Sequence, residues 1–175
     1  MLKSAHAAEY GRIRDTIRLC APFFDDFVLE PDLLHPGFIS LEWREKGEAE
    51  TFFAHQLSDG TLRFIALTTA LNQPQDLATR PHLILIDEPE LGLHPYAITL
   101  LASMMRATSG TAQVIVSTQS VNLIDELADP NEIIVVERSD GQSIFKRPDP
   151  VALERWLDEY SLGELWEKNV LGGRP

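Results

Sequence analysis

The chain has 175 residues, and its 27 acidic side chains against 15 basic ones give a formal net charge of -12. Its single cysteine, Cys20, excludes an internal disulfide framework and a zinc site built from cysteines, and is typical of a reducing compartment. No apolar run approaches the roughly 20 residues that span a bilayer, the N-terminus has no apolar signal core, and the acidic charge disfavours wrapping nucleic acid by bulk electrostatics. We therefore expect a cytoplasmic protein without a membrane partner.

The length predicts a single domain, residues 1–175, because domains usually run to roughly 100–200 residues. Residues 5–20 place apolar side chains at helical spacing, and Pro22 ends that helix. Three short strands follow, at residues 27–30, 39–43 and 51–55, and the last two read as an antiparallel hairpin. These elements make up a first region, residues 1–56, of helix and hairpin.

A central region, residues 57–138, begins with a polar helix start at Ser58-Asp59-Gly60 and a helix that reaches Asn72. After a polar loop at residues 74–81 comes the densest apolar run in the chain, His82 to Ile86. Because this run is apolar at nearly every position, it predicts a strand covered on both faces, as in a parallel sheet.

The alternation continues to the end of the central region, in a βαβ order. The predicted elements are a helix at 96–108, a strand at 113–117, a helix at 121–127 and a strand at 133–137. The third region, residues 139–175, opens with a hairpin turn at Asp140-Gly141 into a strand at 143–147, and its tail holds one or two short amphipathic helices.

Two adjacent carboxylates, Asp87 and Glu88, follow the apolar strand directly. In open α/β sheets the carboxyl ends of the strands are where ligands bind. Neighbouring residues on a strand point opposite ways, so Asp87 can hold a hard cation such as Mg²⁺ through a water while Glu88 orients or deprotonates an attacking water. The alternative is a strand exit that carries acidic loop residues without a catalytic role.

Four segments follow one another along the chain: Leu57–Arg63 (LSDGTLR), Leu83–Glu88 (LILIDE), Pro89–Pro95 (PELGLHP) and Val114–Ser120 (VIVSTQS). In this order they resemble the signature loop and helix, Walker B, the D-loop region and the switch strand with its sensor. These are motifs of the ABC-type ATPases, and the resemblance is closer to their SMC/RecF/OLD-like branch, the bacterial predicted ATPases with an AAA-type core. The resemblance implies an α/β fold, the C-terminal lobe of a P-loop NTPase head with a largely parallel sheet, flanking helices and antiparallel hairpins.

The resemblance also implies ATP and Mg²⁺ as cofactors, with Asp87 serving the metal, Glu88 as general base and Gln119 as the γ-phosphate sensor. The residues that it places near nucleotide are Ser58, Asp59, Gly60, Gly92 and His94. In this family the signature contacts nucleotide held by the opposing subunit, which implies a head-to-head homodimer through ATP.

Gln119 departs from the family's pattern, because relatives usually carry histidine at this position, and glutamine cannot carry a proton at neutral pH, which implies slower hydrolysis. Asp59 stands where transporters have glycine, but an acid here is the form that this branch commonly shows. Three of the motifs also have other interpretations. Ser58 to Gly60 could be a plain helix cap, and His94 could simply cap the next helix. A nuclease metal cluster of Asp87, Glu88 and Glu90 is a weaker interpretation, because it leaves the signature loop unexplained.

A Walker A loop, G-x-x-x-x-G-K-[ST], is not found in the sequence. None of the four lysines follows a glycine; they are Lys3, Lys46, Lys146 and Lys168. We therefore expect the C-terminal part of an ATPase head, either a truncated reading frame or one half of a split protein. It would need Walker A from an upstream half or a partner subunit, and the isolated chain should be inactive.

What ATP hydrolysis would drive stays open, with DNA, a nuclease or a toxin as further partner classes. The second function hypothesis is a non-enzymatic protein-interaction module that retains a degenerate ATPase fold.

Overall fold

The computed structural model describes residues 2–32, 35–74, 81–127 and 129–173. The chain divides into two compact units, Met1–Val116 and Ser117–Pro175. The division falls inside the predicted central region 57–138, and the single domain inferred from length stays a prediction. Apart from its end residues, the predicted loop at 74–81 lies outside the described residues.

The first unit opens with helices and a three-stranded antiparallel sheet in the order β1-β2-β3. The elements are α1 (Leu2–Ala5), α2 (Ala7–Cys20), β1 (Phe24–Val28), β2 (Glu42–Glu45) and β3 (Thr51–Phe53). The predicted hairpin is present, but β2 starts later than expected, because Ile39 forms an isolated bridge with Pro31 instead of joining the strand.

The core of this unit is aromatic. Ile13 and Ile17 of α2 are buried together with Phe24 and Trp43 of the sheet, whose rings stack with centroids 6.1 Å apart. Ile65 belongs to the same core and lies on α3 (Asp59–Leu71), so this helix is fixed onto the sheet by buried apolar surface. The position of the start of α3 is thus set by packing as well as by local sequence.

A crossover unit follows, in which α4 (Pro95–Ser109) joins the parallel strands β4 (Leu83–Asp87) and β5 (Gln113–Ser117). The end of α4 is tied to the end of α3, since the Thr108 hydroxyl donates to the carbonyl of Leu71 at 2.9 Å. This hydrogen bond connects α3 and α4, the central helices of the first unit.

The expectation that β4 is covered on both faces is wrong for the described residues. Its side chains alternate between exposed and half-buried, and Leu85 is 69% exposed. Leu83 on β4 and Ile115 on β5 are also exposed, at 45% and 47%. An apolar run indicates that both faces of a strand can be buried, but it does not indicate whether the same chain or another one buries them. We call Leu83, Leu85 and Ile115 the open sheet face.

The second unit contains a hairpin and three α-helices among its described residues. They are α5 (Val121–Leu127), β6 (Val135–Ser139), β7 (Gln142–Lys146), α6 (Pro150–Leu157) and α7 (Leu162–Glu167). The predicted turn is confirmed, with φ of 51° at Asp140 and 80° at Gly141. The strand predicted at 133–137 is present as β6 and pairs with β7 in a two-stranded antiparallel sheet.

Gly163 brings α7 close to α5. Its amide donates to the Asp125 carboxylate at 2.6 Å, and a Cβ on Gly163 would lie 2.6 Å from Val121. None of the helices in the described parts of the chain combines the length and apolarity that crossing a membrane would need.

Candidate functional site

The signature-like segment begins with a buried residue, Leu57. Ser58 is the N-cap of α3, and its Oγ accepts a hydrogen bond from the Thr61 amide at 3.2 Å. Asp59 occupies the first turn and is exposed. The interpretation of this segment as a helix cap is therefore correct, and the positive end of the α3 dipole lies at the same place.

Gly60 touches the loop that follows β4. A Cβ added to Gly60 would lie only 2.2 Å from the carbonyl oxygen of Gly92, a distance that real Cβ atoms do not reach. Gly92 itself has φ of 76°, in the left-handed region that favours glycine. The predicted signature and D-loop segments of this chain are thus in direct backbone contact.

The acidic pair lies at the exit of β4. Asp87 is its last residue and is exposed, whereas Glu88 is half-buried and has φ of 42°, which is unusual for a residue other than glycine. The Glu88 carbonyl accepts hydrogen bonds from the Leu91 amide at 3.3 Å and from Arg63 Nη1 at 2.9 Å. The loop therefore turns tightly directly after the two carboxylates.

Arg63 closes the signature-like segment, but sequence reasoning missed any role for it. It stands three residues after Gly60 on α3, so the two share one helix face, and that face meets the loop after β4. The available signal was this spacing, but nothing in the sequence showed which carbonyl the guanidinium would reach.

His94 is the N-cap of α4, and its Nδ1 accepts a hydrogen bond from the Tyr96 amide at 3.2 Å. Pro95 occupies the first helical turn, where its missing amide proton costs nothing. The capping interpretation of His94 is correct, and a role toward nucleotide stays a prediction.

Gln119 belongs to the second unit. It is exposed and lies between the end of β5 and the start of α5, next to Ser120, whose hydroxyl accepts from the Leu123 amide at 3.3 Å. The residues that the structure gathers in the first unit are therefore those of the α3 start and of the loop after β4.

Two other kinds of chemistry find no support. Burial raises the pKa of the Cys20 thiol to about 11, so Cys20 stays protonated at neutral pH and is a poor nucleophile. Among the described residues, no three His, Cys, Asp or Glu side chains gather into a metal-binding group. This disfavours the nuclease-type metal cluster.

Solved structures share the fold of this chain. A structure described as "Structural biochemistry of ATP-driven dimerization and DNA stimulated activation of SMC ATPases" aligns over 87% of this chain and 91% of its own, with TM-score 0.60 and 18% identity. An SmcHead bound to the C-winged helix domain of ScpA aligns over 87% and 44%, with TM-score 0.63 and 18% identity. The fold is that of the α/β P-loop NTPase heads, as the sequence predicted.

A third similar structure is the Smc head with an extended coiled coil from Pyrococcus furiosus, bound to the C-terminal domain of ScpA. It aligns over 88% of this chain at TM-score 0.64 and 18% identity, but this chain spans only 38% of it. The chain thus spans less than half of two of these three relatives. At such identities the likeness shows the fold alone.

The family follows from the sequence. A family described as "AAA domain, putative AbiEii toxin, Type IV TA system" matches residues 6–125, well over half of the chain, and the chain belongs to this family. The predicted resemblance to SMC/ABC-like ATPases is thereby confirmed. A search among curated proteins found no significant match. Family and fold are those of a nucleotide-binding ATPase.

Proposed function

We propose that this chain supplies the signature, Walker B, D-loop and switch elements of an ATP-hydrolysing head, and that a Walker A-bearing half or subunit completes the nucleotide site. The observation that carries the proposal is the backbone contact of Gly60 with Gly92, together with the Arg63 bond to Glu88. These contacts bring together three segments that the resemblance to ABC-type ATPases had linked to ATP chemistry.

In this proposal Glu88 is the general base and Gln119 senses the γ-phosphate. Glu88 lies directly after a sheet strand, on a tightly turned backbone, so its carboxylate can be aimed at a water beside a bound phosphate. Gln119 can donate one hydrogen bond to a phosphate oxygen but cannot carry a proton at neutral pH. Slow turnover is the expected result.

Asp87 is suited to Mg²⁺. Asp87 is exposed at the end of β4, and Mg²⁺ is usually held by one or two carboxylates together with waters and phosphate oxygens. When bound, Mg²⁺ would neutralise charge on the phosphates, while Asp87 fixes its place at the end of β4.

The start of α3 would meet nucleotide held by a second copy of the head. The first-turn amides after Ser58, together with the helix dipole, favour an anion. Gly60 contributes by allowing the helix start to lie against Gly92, and Gly92 and His94 shape the adjoining loop. A head-to-head dimer through ATP is the assembly that uses these features.

The open sheet face supports the need for a completing half. The exposed side chains of Leu83, Leu85 and Ile115 form apolar surface on two neighbouring strands. Burying this surface against another polypeptide segment would lower the free energy of the folded protein. The same surface also favours the second candidate, a non-enzymatic interaction module that docks a partner without turnover. DNA, a nuclease or a toxin would be downstream partners in either case.

Turnover by a completed head separates the two candidates. The chain is co-expressed with the polypeptide encoded immediately upstream, and ATP hydrolysis is measured for the complex and for the chain alone. In the complex, Glu88→Gln should retain ATP binding but slow turnover by about 10²–10⁴, the usual effect of losing a general base. Glu154→Gln, an exposed carboxylate on α6, is the matched control and should not change the rate.

Three results would contradict the proposal. Tight calorimetric binding of Mg-ATP by the chain alone would show that no Walker A partner is needed. An unchanged rate for Glu88→Gln would show that Glu88 is not the base. A complex that binds ATP without any turnover would favour the interaction module.

A further inference from the structure

We propose that Arg63 is a positioning residue that ties the start of α3 to the main chain of Glu88, and so couples the signature helix to the catalytic carboxylate of the same chain. The inference rests on the proposed function. It is carried by the hydrogen bond from Arg63 Nη1 to the Glu88 carbonyl, 2.9 Å long, between two segments with different predicted roles.

The backbone of Glu88 needs support from its surroundings. A non-glycine residue with positive φ is strained, and such a conformation persists only where neighbouring structure holds it. Two donors converge on the Glu88 carbonyl, the Leu91 amide and the Arg63 guanidinium. The guanidinium bond is the shorter and is charge-assisted, so it is the stronger of the two. Pro89, fully buried, restricts the chain directly afterwards.

The loop is held by α3 at both of its ends. Arg63 contacts its beginning at Glu88, and Gly60 contacts its end at Gly92. Because the Gly60–Gly92 approach leaves no room for a methyl group, the helix start cannot move closer to the loop without displacing it. A phosphate that engages the amides at the start of α3 would therefore act on the backbone that carries Glu88.

This makes the proposed signature a control element for the chain's own base. When the opposing nucleotide binds at Ser58, the start of α3 is held in place. The hydrogen bond from Arg63 then restricts the backbone of Glu88 as well. Without Arg63, the carboxylate would still be present, but its backbone would sample other conformations. The predicted defect is therefore in turnover and not in substrate binding.

The test compares Arg63→Met, which removes the donors but keeps the aliphatic stem, with Arg63→Lys, which keeps one charged donor. Arg12→Met is the matched control, since Arg12 is an exposed helical arginine whose bond to Glu9 stays within its own helix, α2. The first readout is hydrogen exchange of the Leu91 amide in the full chain, which requires no ATP. The second is kcat and KM for ATP in the completed head.

Arg63→Met should speed Leu91 exchange by about tenfold and lower kcat by about tenfold, as expected for losing one charge-assisted hydrogen bond, with KM changed less than about twofold. Arg63→Lys should recover part of both effects, and Arg12→Met should show neither. A purely structural role would lower the stability of the whole unit without separating kcat from KM.

Unchanged Leu91 exchange in Arg63→Met would overturn the proposal even if the head is an ATPase, and so would an unchanged kcat. Failure of the proposed function gives a different pattern, because either Glu88→Gln then hydrolyses ATP at the parent rate or the parent complex shows no turnover at all. In that case Arg63 has no base to position, and the coupling is refuted with it.

Discussion

Tyr10 carries a hydroxyl into the aromatic core of the first unit, and the hydroxyl donates to the Asp26 carboxylate. Burial is the main reason that the pKa of Tyr10 is raised, and the Asp26 hydrogen bond adds to it. Burial by itself would raise the pKa of Asp26, but hydrogen bonds from Lys3, 2.8 Å long, and from Tyr10 outweigh it and lower that pKa. The three side chains join α1, α2 and β1.

The Asp26 carboxylate should make the stability of the first unit depend on acid. The folded pKa of Asp26 lies below the unfolded value of 3.8, so its contribution to stability is present above pH 3.8 and is lost as the pH falls through the folded value. Asp26→Asn should lower the free energy of unfolding at pH 7 by about 1 kcal/mol and flatten the loss of stability below pH 4.

Urea unfolding over a pH series measures both effects. Asp15→Asn is the control, because Asp15 is 61% exposed and its pairs with Arg14 and Arg18 should contribute less than about 0.5 kcal/mol. If the stability of Asp26→Asn falls with acid as steeply as that of the parent, the Asp26 carboxylate does not contribute to stability as argued.

Among the elements, the start of α3 is constrained by its close approach to the loop after β4. Gly60→Ala should destabilise the first unit by about 1–3 kcal/mol, because the new methyl group would overlap the Gly92 carbonyl and the backbone must shift. Gly60 does not have a positive φ, so the clash and not backbone strain is the cause.

Gly11→Ala is the matched control. Gly11 lies inside α2, and a methyl group added there would have open space around it to 4 Å, so alanine should stabilise the helix by about 0.5–1 kcal/mol. Chemical denaturation of both variants gives the comparison. Equal stabilisation by the two substitutions would mean that α3 and the loop are not in contact.

For the whole molecule, the proposed dimer can be tested at Ser58 without losing the helix cap. Ser58→Asp keeps a side chain that caps α3 as well as serine does, but its negative charge opposes a phosphate at the same amides. In the completed head, it should abolish ATP-driven dimerisation and leave stability nearly unchanged. Ser58→Arg is harder to interpret, because it also removes the helix cap and so lowers the stability of the protein by about 1 kcal/mol.

Light scattering with and without ATP measures the effect. Ser161→Asp makes the same change at the N-cap of α7 and should leave dimerisation intact. A Ser58→Asp head that still dimerises on ATP would reduce Ser58 to a helix cap and remove the main support for nucleotide contact in trans.

Local signals found most elements to within a few residues. Ser58 predicted the start of α3, Asp140-Gly141 predicted the β6–β7 turn, and the apolar run before Asp87 predicted β4, because caps, turns and strand exits depend on neighbouring residues. The order of four motifs predicted the family, since order and spacing survive where identity has fallen to 18%.

Tertiary structure alone decided which of these segments touch, and which surfaces stay open. The Gly60–Gly92 approach and the Arg63–Glu88 hydrogen bond join positions far apart in the chain, and such contacts leave no local pattern in the sequence. The exposure of Leu85 could not be predicted either, because an apolar side chain has the same chemistry whether its cover comes from its own chain or from another. Sequence thus determined the local elements and the family, and packing determined which segments meet at the candidate site.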